Sequence, residues 1–469
     1  MKRLLLGLMA LWLCLESKAQ VSATDIAPLR LALTTDSLHA RQKAEELLKK
    51  DRKNPDLAAA IGSEFLRRGR IEDAEFFYDK GYHMKRISPT IINLAGDIAL
   101  SKNDQQKAEY YYGRAMYFDR RHPDAYYKYA RMYAKKDAEK AVEKLQTLRI
   151  YHPGPQIDMR IAEIYYESNR FADAARTYAS LPIDSLGKTE LTNYALSYYF
   201  MQQFDSALAV GEEGHKRFPR HPAFNRMILY CNTELKHYDE AIAGATDLFQ
   251  HSDNAELQYL DYIYDGYALN GLGRYDEAIA QFNRVLELNK DRKDVVKAIA
   301  DAYETIGDYD RAISYYRQYA DKLEGDERTP YEEYHIGQLY YQKGTDERQT
   351  KELTSAKTEA LRQADAQFAK VERMRPDSYL GPYWRARTQM ALDPHTEKGL
   401  AKPYYMKVIE IMTGNGEQSA QLTESYKYLA YYYYLKKDKR EAMKYVDKIL
   451  DISPTDDYAL RIANVLSAG

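Results

Sequence analysis

Between about residue 55 and residue 456, small and large apolar residues return in a fixed order, with polar residues between them at helical spacing. The pattern Asp-Glu-Ala-Ile stands at 239–242 and again at 276–279, and a looser copy is Asp310-Arg311-Ala312-Ile313. Around the last two the match widens: Gly273, Tyr275, Ala278 and Phe282 return 34 residues later as Gly307, Tyr309, Ala312 and Tyr316. Stepping from alanine to alanine gives Ala74, Ala108, Ala141, Ala174, Ala207, Ala241, Ala278, Ala312, Ala364, Ala401 and Ala442. Four residues after the alanine a large side chain follows in most copies (Tyr78, Tyr112, Leu145, Tyr178, Phe282, Tyr316, Phe368, Tyr405), and twelve after it Pro153, Pro219, Pro376 or Pro454 often closes the unit. Proline lacks an amide donor and clashes with the preceding turn, so it stops a helix there. A fixed period near 34 residues predicts a stacked array of two-helix units and excludes a chain of separate globular domains.

The spacing resembles the tetratricopeptide repeat, a 34-residue helix–turn–helix unit. Its best copy, Tyr259 to Arg292, carries Asp265-Gly266, Leu269, Gly273, Tyr275, Ala278, Phe282 and Val285 at the family's framework places, but lacks the Trp near the start and the closing Pro. The resemblance implies an all-α, right-handed α-solenoid of about eleven repeats with capping helices at its ends. The physical requirement is close approach: Gly62, Gly96, Ala130, Ala162, Ala195, Gly266, Ala300, Gly337 and Ala430 stand at the eighth place of the first helix, where a small residue lets the paired helix come near.

The array reads as residues 55–456, after a segment 20–54 that ends in a capping helix and before a capping helix at 457–469. Asp36 to Lys50 reads as an amphipathic helix with Leu38, Ala44, Leu47 and Leu48 on its apolar side, and Thr455 to Leu466 as a closing one. Near 345–360 the chain is longer than the period allows. Thr345 to Lys357 is polar and poor in helix breakers, which predicts lengthened helices. At the N-terminus, Lys2 and Arg3 precede an apolar stretch from Leu4 to Leu15, then Ser17-Lys18-Ala19. This is the pattern of a signal peptide cleaved after Ala19, too short to span a bilayer. Cys14 follows Leu13, where a lipoprotein signal needs a small residue, so it belongs to the apolar stretch. The expected place is the periplasm or cell envelope of a Gram-negative bacterium, and no later apolar run suggests an integral membrane protein.

Charge and chemistry narrow the function. The 469 residues hold 68 Lys+Arg against 70 Asp+Glu, a net charge of −2, which gives no footprint for nucleic acid. Two cysteines make no disulfide framework, and Cys231 reads as buried packing. Leu269 to Gly273 is a turn without the Lys-Ser/Thr of a phosphate loop; no Gly-x-Ser-x-Gly or His-Glu-x-x-His occurs, and His215 and His221 are spaced off one helical face. The expectation is therefore no enzyme, no cofactor and no metal.

Tyrosine is the outlier, at 45 against 12 Phe and 2 Trp. The resemblance implies that first helices line a concave face. Repeat positions 2, 5, 9 and 12 share one helical side, and projecting them gives the candidate groove Tyr127, Arg131, Glu163, Tyr166, Tyr199, Arg226, Tyr230, Tyr267, Tyr334 and Tyr341, with Asp97, Lys297, Asp301, Tyr331, Tyr431 and Tyr434 on the same projection. Tyrosine offers a ring and a hydroxyl at low entropic cost, and Arg131 and Arg226 could grip carboxylates. The expected function is a non-catalytic scaffold binding an extended peptide or protein segment. Two alternatives stand beside it: a structural subunit of an envelope assembly or secretion machine using its edge or convex face, and a carbohydrate-binding or enzymatic protein using the aromatic face. Family members that grip chaperone C-termini use Lys and Asn; here Asp301 stands at the Asn place beside Lys297, and would repel a terminal carboxylate.

Overall fold

The computed structural model describes residues 25–35, 38–348 and 350–468, so the leader expected at residues 1–19 lies outside the described residues. No strand occurs among the described residues. Eleven helix pairs follow one another, from Pro55–Arg67 with Ile71–Tyr82 to Ala420–Leu435 with Lys439–Ile452. The chain is an all-α solenoid of such pairs. It divides into two compact units, residues up to Met227 and residues from Ile228 onward. Within each unit a helix packs on its pair mate and on the next pair.

All eleven alanines of the repeat are completely buried, and each marks the second helix of its pair. Ala401 alone precedes its helix, Lys402–Gly414, as the N-cap residue. The large residue four places later is the wedge. Tyr112, Tyr178, Phe282, Tyr316, Phe368 and Tyr405 are each at most 1% exposed. On one side the ring covers the small residue of its own first helix: a Cβ added to Gly266 would stand 2.5 Å from Phe282, one on Gly337 2.7 Å from Phe368, and one on Gly96 would collide with Tyr112. On the other side it meets the next pair. Tyr178 lies 5.6 Å from Tyr194, Tyr405 4.8 Å from Tyr428, and Phe368 stacks at 5.5 Å on Trp384. Burying each such ring stabilises the stack by roughly 1.5–3 kcal/mol. In the first pair Phe77, stacked on Phe65, takes the place expected of Tyr78, which is only half-buried.

The turns repeat as closely as the core. Five residues before the alanine the backbone is left-handed in nine pairs: at Thr396 in the tenth, and at Gly69, Asn103, Asn169, Gln202, Lys236, Gly273, Gly307 and Lys437 in eight others. The next amide then reaches back over the end of the first helix, as in Arg274 N to Leu269 O at 2.9 Å and Asp308 N to Tyr303 O at 2.9 Å. This closes the carbonyls that a helix end leaves open. Asp104, Asp308 and Asp438 do both jobs: their amides finish one helix, and their side chains cap the next by accepting from Lys107 N, Arg311 N and Glu441 N. Pro153, Pro219, Pro376 and Pro454 each fall just past the end of a second helix.

The ends and the insertion differ from expectation. The N-terminal cap is two helices, Ala27–Thr35 and Ala40–Lys50. Leu38, assigned to the apolar side, precedes the second of them and is 91% exposed, whereas Ala44, Leu47 and Leu48 are buried. The closing helix is Asp457–Ala468, seated by Ala459 and Leu466. At the insertion the helices do lengthen, to Pro330–Thr345 and Ser355–Met374, but residues 346–348 and 350–354 form no helix. Polar content is not the cause: Arg348 leaves the helical path to donate to Ile306 O and Gly307 O at 3.2 Å each, and Asp346 grips its guanidinium. Cys231 is buried as expected.

Two predictions follow from this packing. Gly266→Leu drives a side chain into Phe282 and costs about 1–3 kcal/mol, read as a lower denaturant midpoint. Its neighbour Asp265 is buried, and burial pushes its carboxyl up to about 6, against the opposing pull of Arg274. The folded state binds that proton more tightly than the unfolded state. The penalty is therefore absent below about pH 4, grows as pH rises towards 6 and is complete above it. Asp265→Asn should raise stability at pH 7.5 by on the order of 2–3 kcal/mol and change nothing at pH 3.5.

Candidate protein-binding surface

In the first unit, three predicted residues converge. Tyr127 and Arg131 on Pro123–Tyr133 and Glu163 on Pro155–Glu167 line one pocket of about 250 Å³, floored by Ala130, Leu145 and Ile164. The floor is apolar because the eighth-place alanine and the wedge residue meet there. Charges on its wall are largely satisfied internally: Arg160 bonds Glu163 and lies over the Tyr127 ring at 5.6 Å, while Lys128 bonds Asp97. Asp97 also accepts from the Tyr112 hydroxyl at 2.8 Å, so this projected groove residue is consumed by the core. Arg131 is exposed and forms no hydrogen bond or ion pair among the described residues. Burial raises the Tyr127 hydroxyl above its ordinary value and keeps it a neutral donor.

Tyr166 and Tyr199 go elsewhere. They end their first helices and join a ladder of rings along the turns, Tyr166–Phe171 at 5.9 Å, Phe171–Phe200 at 4.7 Å and Tyr199–Phe204 at 5.6 Å. Arg226 is half-buried on Pro222–Glu234.

In the second unit, Tyr230 is structural. Its hydroxyl donates to Asp261 at 2.6 Å and its ring stacks on Tyr264 at 4.1 Å. Tyr267 stands 37% exposed against the edge of Phe282. Tyr334 and Tyr341 gather round Trp384, with centroids at 6.0 and 5.3 Å, and Arg387 lies over the Trp384 ring at 5.3 Å. Tyr331, Tyr431 and Tyr434 are exposed. Lys297 and Asp301 bond each other at 2.7 Å, so the lysine's charge is spent within its own helix.

The residues that the projection missed share a cause. Lys128, Arg160, Tyr264 and His335 all stand at repeat position 6, between the projected places. Helical side chains lean toward the N-terminus, so position 6 swings over the face that 2 and 9 define. The sequence carries that signal in the run of large polar residues two places before the small one. Trp384 and Arg387 lie in the tenth pair, whose spacing departs from the period. Glu304 and His335 come together only because consecutive first helices lie side by side: with one oxygen of Asp301 they place three metal-type donor atoms within 4.8 Å of one another.

Tetratricopeptide-repeat family models match residues 124–154 and 266–327. No curated protein matches the chain. Among solved structures, the C-terminal part of a repeat-containing protein of this kind from Cytophaga hutchinsonii shares 25% identity over 65% of this chain and 98% of its own, with a TM-score of 0.41. A tetratricopeptide repeat protein from Parabacteroides merdae shares 14% over 55% of this chain and 98% of its own, at 0.35. YrrB, described as having an unusual peptide-binding site, shares 15% over 44% of this chain and 92% of its own, at 0.30. With both family matches falling in phase with eleven pairs built on one buried alanine and one wedge, the chain is a tetratricopeptide-repeat protein.

Proposed function

We propose that this chain is a non-catalytic scaffold whose first-helix face binds an extended segment of a partner protein. The observation that carries this is the pocket of Tyr127, Arg131 and Glu163: an apolar floor, a neutral tyrosine wall, and one guanidinium left without an internal partner. Repeat arrays use such extended faces for binding. A free guanidinium beside a ring suits a carboxylate flanked by an apolar side chain. The leader pattern of Lys2 to Ala19 supports placing this activity outside the cytoplasm, in the cell envelope. No helix among the described residues is long and apolar enough to cross a membrane.

A second reading rests on the second helix Gln105–Phe118. Tyr110, Tyr117 and Phe118 are 59%, 79% and 49% exposed, with Arg114 between them over two of the rings. That stripe suits a structural subunit contacting its assembly through second helices.

Site-specific photo-cross-linking in the native cell separates the two. A cross-linker at position 131 should give one discrete adduct, and Arg131→Glu with Tyr127→Ala should weaken partner capture by at least ~10-fold while the circular dichroism stays unchanged. Adducts from position 117 alone would reject the first-helix face in favour of the second reading.

A further inference from the structure

We propose that Asp301, Glu304 and His335 hold a divalent transition-metal ion, zinc by preference, bridging the eighth and ninth helix pairs. Asp301 and Glu304 lie one turn apart on Lys293–Ile306, and His335 stands on Pro330–Thr345, the first helix of the following pair. Their donor atoms lie within 4.8 Å of one another. His335 Nε2 faces Glu304 Oε2 at 3.2 Å. Zinc bonds of ~2.0–2.2 Å set neighbouring tetrahedral ligands roughly 3.4 Å apart, so this pair is already at ligand spacing.

Buried atoms beside the cluster point to a missing cation. His335 Nε2 and Gln342 Oε1 are both buried and have no hydrogen-bond partner. The Tyr316 hydroxyl, on a side chain 1% exposed, has none either, although its ring lies 4.3 Å from His335 and the Asp301 charge acts on it. Buried polar atoms are ordinarily satisfied, so the Gln342 and Tyr316 orphans beside this Asp-Glu-His set call for a group that would engage them. An imidazole with two carboxylates suits zinc and its neighbours better than calcium or magnesium, and leaves a fourth position open. The two carboxylates offset most of the ion's charge, with Lys297 already paired to Asp301. Lys297 bonds one Asp301 oxygen at 2.7 Å. The site is independent of the pocket at Arg131, which belongs to the other unit.

The test is a cobalt titration of the purified chain after chelator dialysis, followed by displacement with zinc. The wild-type chain should show a saturable visible d–d band for one ion, abolished by zinc, and zinc should raise its thermal midpoint. Asp301→Asn with Glu304→Gln, and separately His335→Gln, should each weaken binding by at least ~10-fold. The near-isosteric carboxylate variant keeps the test decisive if the histidine variant fails to fold. Absence of a saturable band in the wild type, or equal affinity in a folded carboxylate variant, would overturn the site.

Discussion

The contact on which this structure depends is a ring from the second helix lying over a residue with little or no side chain on the first. Phe282 over Gly266 and Phe368 over Gly337 are its clearest forms, and in each an added Cβ would collide with the ring. The contact sets how near the two helices come, and the same ring then reaches the next pair. A pair standing alone would expose that far side of the ring, so the pairs are stable as a stack. In the second unit one continuous core runs from Ile263 through Phe282, Ile299 and Tyr316 to Leu339. This commits the second helix to holding the array. The outer side of the first helix carries less of this duty, and there the unspent guanidinium and the Asp-Glu-His set are found.

Where the wedge is missing, the same space is filled from the other side. The fifth pair has Gly211 at the wedge place, and Met227 of the following helix comes in to within 2.8 Å of where its Cβ would be, while Phe224 covers Gly214. The ring and the small residue have exchanged helices. Their contact persists, which explains how the period survives a copy that breaks the sequence pattern.

The anchors were legible in the sequence because close packing admits one answer: alanine at Ala74 through Ala442, each with no exposed surface. The position of the binding face was legible only in part. Tyr127, Arg131 and Glu163 met in one pocket as projected, but Tyr230 turned to Asp261 and Tyr166 to the ring ladder, because a tyrosine on a first helix can satisfy either a neighbour or the solvent and periodicity does not distinguish them. Tyr126, Tyr129, Tyr194 and Tyr426, given no place by the repeat, proved to be core, since first helices also face the preceding pair. The helix Ala27–Thr35 and the path of the chain at Arg348 depend on contacts that carry no period. Nor could sequence show that His335 would meet Glu304, because that meeting is a property of stacked neighbours.

The claim that the wedge couples successive pairs is tested most directly by native-state hydrogen exchange of Gly266→Leu against the wild-type chain. The account predicts that amide protection falls together across Tyr259–Gly271, Tyr275–Leu288 and the following pair, Lys293–Ile306 with Tyr309–Asp321. Loss confined to the seventh pair, with the eighth exchanging as in the wild type, would contradict it.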